Sequence, residues 1–344
     1  MELFLFKPSG GQASARRLPS WALLVIIGAG LALLPVLTHL IDAPFYITLF
    51  SRIMIFALIA LSLGFILGFA GLVCFGQAAF AGVGAYVVLI MSDHAANGVP
   101  LVEWPFAIGS SSSAFITWPA AMLASGLVAL VIGLIALRTR GVYFIMLTLA
   151  FAQMIYFFFV NLDAYGGEDG ASLAERSSTA GLLDLDDKIV FYYVTFAILA
   201  LAYIILRKFV DSRFGMVLRG GRQNERRMAA LGYSCFRYRL VAFVISGAIA
   251  GLAGALMVNH GKFISPSFMH WVRSSDIIAM VVLGGTGNLM GPILGAAAIL
   301  GLEDVLSGYT EHWHLIYGPL LLLCVLFARR GLYGILTGKG ADND

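Results

Sequence analysis

Two stretches carry most of the side chains that could do chemistry. In the first, GFILGFAGLVCFGQAAFAGVGAYVV (64–88), one carboxamide, Gln77, stands among six glycines. Glycine leaves backbone amides and carbonyls open to close approach. Gln77 with the Gly76–Gly84 backbone, Gly82 included, could therefore line a polar path. The second stretch, Arg207 to Arg239, holds nine Lys/Arg against two acids, Asp211 and Glu225. Its centre, Arg222-Gln223-Asn224-Glu225-Arg226-Arg227-Met228-Ala229-Ala230-Leu231-Gly232, has the pattern of a short helix stopped by glycine. Arg222, Glu225, Arg226 and Arg227 can form charge-assisted hydrogen bonds, and Ala229, Ala230 and Leu231 supply apolar contact. Topogenic charge alone explains several of the arginines. The length and pattern point to a docking element.

Other chemistry is missing. No GxxxxGK[ST] run occurs, and Gly285-x-Gly287 lacks the GxGxxG spacing and a preceding strand. The six histidines form no HExxH or other ligand spacing, so no metal site is expected. His312-Trp313-His314 has the look of an interfacial belt. Cys74, Cys235 and Cys324 are too scattered for a disulfide framework. No cofactor, no catalytic group and no nucleic-acid partner is expected.

The elements that must position these stretches are membrane helices. The chain of 344 residues is 60% hydrophobic and 12% charged, with mean hydropathy +0.90. A soluble domain could not hide that much apolar surface. A bilayer core of about 30 Å takes roughly 20 apolar helical residues, and backbone groups in lipid must be satisfied internally. The fold class is therefore an all-α polytopic bundle. Candidate spans are Trp21–Ile41, Phe45–Gly68, Leu72–Met91, Phe115–Leu137, Val142–Val160, Ile189–Leu206, Leu240–Val258, a long stretch Ile277–Leu302, and Leu315–Phe327. Arg52 lies about two turns into its span, within snorkelling reach of an interface.

Lys/Arg asymmetry sets the orientation. Residues 1–20 and 336–344 are expected as cytoplasmic tails around a transmembrane region, 21–335. The 207–239 loop is then cytoplasmic. The 161–188 loop, with seven acids and two basic residues, is external. Cytoplasmic termini need an even number of crossings. The helix breakers in GGTGNLMGP (Gly284–Pro292) supply it: a short element, Ser275–Leu283, goes in and Ile293–Leu302 returns, giving about ten passes. Glu303, Asp304 and Glu311 then lie outside, and Asp276 opens the short element as a cap or as a pathway group. Gly64/Gly68, Gly247/Gly251 and Gly291/Gly295 space small residues four apart, which suits close helix packing; the 64–88 run also suits a broken helix lining a path. Thr148, Gln153 and Tyr156 on the fifth span suit either interhelical hydrogen bonds or a polar route.

Several motifs together resemble a known family. They are GFAGLVCFGQAAFAGVGAY (68–86), RTRGVYFIMLTLAFAQM (138–154), YGGEDG (165–170), NERRMAALGY (224–233), AFVISGAIAGLAGAL (242–256), SPSF (265–268) and MVVLGGTGNLMGPILGA (280–296). In this order the chain is similar to the branched-chain amino-acid ABC transporter permeases, M-type subunit, from about residue 45 to 335. Gln77 departs from the pattern, since His is expected to be commoner there. The resemblance implies a layout like the vitamin-B12-importer permeases and a site in the bacterial inner membrane. It implies a second, H-type permease, two ATP-binding cassette subunits that hydrolyse ATP, and an external solute-binding protein. Arg222–Gly232 correspond to the ATPase-coupling loop, and the solute is a branched-chain amino acid or a related small polar molecule. A self-sufficient secondary transporter or channel would need intramembrane ionisable groups, and a membrane enzyme would need a clustered acid–base set; the chain offers almost none of the first and nothing of the second.

Overall fold

The computed structural model describes residues 28–35, 44–98, 112–173, 176–179, 184–309, 318–319 and 331–337. The helices are α1 (28–35), α2 (Pro44–Phe65), α3 (Gln77–Asn97), α4 (Ala114–Ala136), α5 (Val142–Val160), α6 (Lys188–Asp211), α7 (Arg213–Gln223), α8 (Glu225–Ala230), α9 (Cys235–Gly261), α10 (Trp271–Gly284), α11 (Met290–Tyr309) and α12 (Gly331–Thr337). Two-residue strands, β1 (Ala171–Ser172) and β2 (Phe263–Ile264), pair antiparallel. The chain is an all-α polytopic membrane protein. Seven helices among the described residues are long and apolar enough to span: α2 with its extension to Ala70, α3, α4, α5, α6, α9 and α11. The first and last spans expected from sequence, the two tails and Glu311 lie mostly or wholly outside the described residues.

The bundle has two chemically distinct ends. At the basic end, Arg140 meets Glu225 at 3.0 Å, the guanidinium of Arg222 donates to Gly68 O, and Gly331 abuts Gly285. At the acidic end, Ala114 N donates to Ser178 O at 2.7 Å and Leu173 N to Lys262 O at 2.8 Å. His94 meets Tyr165 at 2.8 Å there, and Lys262 meets Asp186 at 2.9 Å. Successive long helices change ends, and the shorter α10 does so too. The Gly-rich turn 285–289 thus shares the end of the basic segment.

Small residues build the centre. A Cβ on Gly84 would strike the backbone of Gly251, one on Gly254 the backbone of Ala81, and one on Gly247 the Ala129 side chain. These contacts clamp α3 and α4 onto α9. Gly64 packs on Pro292 and Gly295 on Met280 O, which seats α11 against α2 and α10. All three four-residue glycine pairs therefore serve close packing. The most apolar window of α2 is 94% buried and that of α5 only 22%, so α2 is axial and α5 peripheral.

Several boundaries differ from the sequence expectation. The third span begins at Gln77, not Leu72. α2 ends in a π turn (Ile66–Ala70) closed by Gly71 at φ +71°, and residues 71–76 are irregular. Left-handed backbone at Gly71 stops the helix, and the Cys74 thiol takes up the Gly76 amide at 3.2 Å. The basic connector is shorter than 207–239, because α6 continues to Asp211 and α9 starts at Cys235. Pro292 does not break a helix; it is the third residue of α11, where a missing amide costs nothing. α11 outruns Leu302, so Glu303 and Asp304 are helical. Glu303 pairs with Arg52 at 3.1 Å, which replaces snorkelling for that arginine. Asp276 sits inside α10, 3.7 Å from Arg273, so it is not the cap.

Candidate functional site

The basic connector folds as a helical clip. Ser212 caps α7 through its hydroxyl, accepting from Phe214 N. α7 ends at Gln223, one residue past Arg222, so Arg222 belongs to α7 and not to the short helix expected over 222–232. Asn224, extended at φ −154°, caps α8 by accepting from Arg227 N at 3.0 Å. The asparagine was readable as an N-cap. At the other end, Gly232 N donates to Ala229 O at 2.9 Å and Tyr233 N to Met228 O at 3.1 Å, with Gly232 at φ +87°. That pair of bonds is a Schellman stop.

Side chains of the clip divide into bracing and presented groups. Glu225 accepts from Arg140 and from Arg239, each at 3.0 Å, and Arg239 also donates to Gly221 O at 3.0 Å. Arg239 and Arg140, which the sequence marked only as basic residues of that end, fix α8 to the rest of it. Arg222 is tied to Gly68 O. Arg226, Arg227, Ala229, Ala230, Leu231 and Tyr233 are exposed, Leu231 at 66% and Tyr233 at 44%. No ion pair to Arg226 or Arg227 occurs among the described residues.

Gln77 lies in the interior, fully buried at the start of α3. Its amide nitrogen donates to Ser62 Oγ at 2.5 Å and Ser246 Oγ at 3.0 Å, and Ser246 Oγ donates to Ser62 O at 2.7 Å. α2, α3 and α9 are thereby joined by one polar knot. Ser62 and Ser246 had no sequence signal, since isolated serines in apolar spans are common. Thr148, 1% exposed, accepts from Phe75 N at 3.3 Å and donates to Ile145 O at 2.9 Å. It ties α5 to the break beside Gly76, itself buried. Gly82 packs against Met269. Gln153 is half-buried on α5 and its nitrogen finds no partner among the described residues, as does Gln77 Oε1. Gly76, Gln77 and Thr148 are thus brought together at the break, while Gly82 and Gln153 lie farther along their helices.

Over residues 45–327, which include the glycine-broken helix pair and the braced basic clip, the chain matches a known family model, that of the branched-chain amino acid transport system / permease component. The chain belongs to that family. It is 26% identical over 302 residues to the high-affinity branched-chain amino acid transport system permease protein LivM of Escherichia coli, covering 81% of this chain and 68% of the relative. A probable LivM of Methanocaldococcus jannaschii is 24% identical over 312 residues, covering 81% and 90%. The LivH permease of Escherichia coli is 29% identical over 148 residues, 42% of this chain and 46% of the relative. No solved structure matches. The M-type relatives align over about twice the length that the H-type relative does, and the similarity to both types indicates a paired permease system.

Proposed function

We propose that this permease forms half of the membrane path of an ABC importer for branched-chain amino acids or a related small polar solute. A second, H-type permease completes the path. Two ATP-binding cassette subunits bind at the basic end and hydrolyse ATP, and a solute-binding protein delivers solute at the acidic end. The chain then sits in a bacterial inner membrane with the basic end, and both termini, cytoplasmic. Positive-inside charge supports that orientation.

The observation that carries this reading is the α8 surface. Six helical residues and the turn that follows, with Ala229, Ala230, Leu231 and Tyr233 outward beside Arg226 and Arg227, project from a membrane bundle. Such a helix is marginal alone, and capping and the Glu225 brace hold it ready to enter a cleft. The solute route is proposed to pass α5, whose exposed Met146, Met154, Phe157 and Phe158 leave one side for a second permease or lipid. It reaches Gly76, Gln77, Gly82, Thr148 and Gln153 when the 71–76 break opens, since Gln77 and Thr148 are enclosed in this conformation. Purification of the full chain from its native membrane tests the reading. An ATPase and a second permease are expected to copurify, and proteoliposomes with binding protein are expected to take up leucine only with ATP. Uptake driven by an ion gradient without ATP would favour a secondary transporter instead.

A further inference from the structure

Three segments that sequence keeps far apart meet at one glycine. Gly68, in the π turn that ends α2, has its oxygen bound by the guanidinium of Arg222. The space where its side chain would stand is filled by Thr286 O of the Gly-rich turn between α10 and α11. The Arg222 stem lies against Gly71, whose absent side chain and φ of +71° make room for it. The last carbonyls of a helix lack intrahelical donors and carry partial negative charge. A guanidinium placed there holds the end of α2 from the α7 side.

Both flanks of this contact are stiff. On one side α7 and α8 are locked together by Arg239 on Gly221 O and Glu225, and by Met228 packed on Gly220. On the other side residues 71–76 are irregular but braced, internally by Gly76 N on Cys74 Sγ and to α5 by Phe75 N on Thr148. A displacement of α8 therefore reaches the break through Arg222 rather than being lost in slack chain. We propose that Arg222 is a transmission residue: it couples movement of the docking helix to opening of the 71–76 segment around Gly76, Gln77 and Thr148. This rests on the reading that α8 docks an ATPase. Arg222 here touches neither solute nor nucleotide; it is a positioning residue.

The test uses the complete importer, copurified and reconstituted, with Cys235→Ala and Cys324→Ala so that the buried thiol of Cys74 reports on the break. Arg222→Met keeps the stem and removes the fork. Its ATPase subunits are expected to copurify in the parental ratio. ATP hydrolysed per leucine imported should rise by about tenfold, the scale of a typical coupling between sites. In the parent, vanadate trapping with ATP should change the rate of maleimide labelling at Cys74, and in Arg222→Met that change should vanish. Arg222→Lys, a point charge without the fork, should restore part of the coupling. Parental ATP-to-leucine ratio together with parental Cys74 labelling in Arg222→Met would overturn the proposal. So would loss of the ATPase from that variant, which would make Arg222 a docking contact. If Arg222→Met fails to accumulate, Arg222→Lys decides by the same two readouts. A parent that brings no ATPase at all would instead sink the importer reading itself.

Discussion

The polar knot at Gln77 and the exposed helix α8 are built from opposite instructions. At the knot, a carboxamide and two serines spend their hydrogen bonds on each other, between three helices, at zero or near-zero exposure. At α8, intrachain bonds are confined to the ends and to Glu225, and the remaining side chains face out. The same residue classes, polar and small, thus mean cohesion in one place and recognition in the other. What separates them is whether an internal partner exists within bonding distance.

The largest effect that would break this comparison lies at the α3–α9 contact under the knot. Gly254→Leu drives a side chain into the Ala81 backbone, where neither chain can give. Overpacking of that kind costs about 1–3 kcal/mol or more. The expected outcome is little or no monodisperse protein by size-exclusion chromatography in detergent. A yield like the parent's would mean that the helices are not clamped as described.

Next in size is charge reversal on the presented side. Arg226→Glu with Arg227→Glu, or Gly232→Val alone, leaves the bundle interior untouched. Valine at φ +87° strains the Schellman stop. Both variants should reach the membrane in normal amount yet lose most ATPase copurification, by about tenfold or more for the double reversal. Retained ATPase with full solute-stimulated hydrolysis would reduce α8 to a topology signal.

A smaller and opposite result is expected at the knot. Gln77→Leu leaves Ser62 and Ser246 without their donor, a loss of about 1–3 kcal/mol for groups left unsatisfied when buried. A drop in thermal stability measured by fluorescence-detected chromatography should accompany any fall in leucine uptake. If uptake falls while stability stays at the parental value, Gln77 acts on the solute rather than on cohesion, and the contrast drawn here is too sharp.

The smallest effect concerns the acidic end. Lys262, bonded to Asp186, holds that carboxyl below the usual range, with Arg176 adding to it. A carboxyl with a depressed folded value stabilises the fold above its unfolded pKa, and that stability is lost as pH falls through the folded value. Asp186 is mostly exposed, so solvent screens the pair and the gain is slight. Asp186→Asn should flatten the acid limb of the stability profile below about pH 4, with no change at pH 7 beyond the loss of the pair. An unchanged acid limb would show that the bond carries no linkage.

Element type and many boundaries were legible because the bilayer leaves helices as the chain's main option; Val142–Val160 matches residue for residue. The break near Gly284–Pro292 was legible from glycine, but its cause was not the proline. The stop at Gly232 was legible because a local sequence, and no distant partner, sets a left-handed residue after a short helix. Glu225 shows the limit. As a charged residue in a docking helix it was expected to face a partner, yet Arg140 and Arg239, 85 and 14 residues away, claim it. Arg222 likewise was expected to dock, and Gly68, 154 residues away, holds it.

By itself, then, the sequence determined the solvent, the helical class, the rough extent of the spans that the structure describes, the sign of charge at each end and the family motifs. Each of these depends on composition within a window of a few turns, where hydropathy, glycine and charge act locally. Only the tertiary structure decided which glycines seat a neighbouring backbone, which polar groups are enclosed and which are presented. Those depend on distances between segments up to 251 residues apart, as for Arg52 and Glu303, and a hydrogen bond or a Cβ collision is settled within a few ångströms that no local pattern encodes.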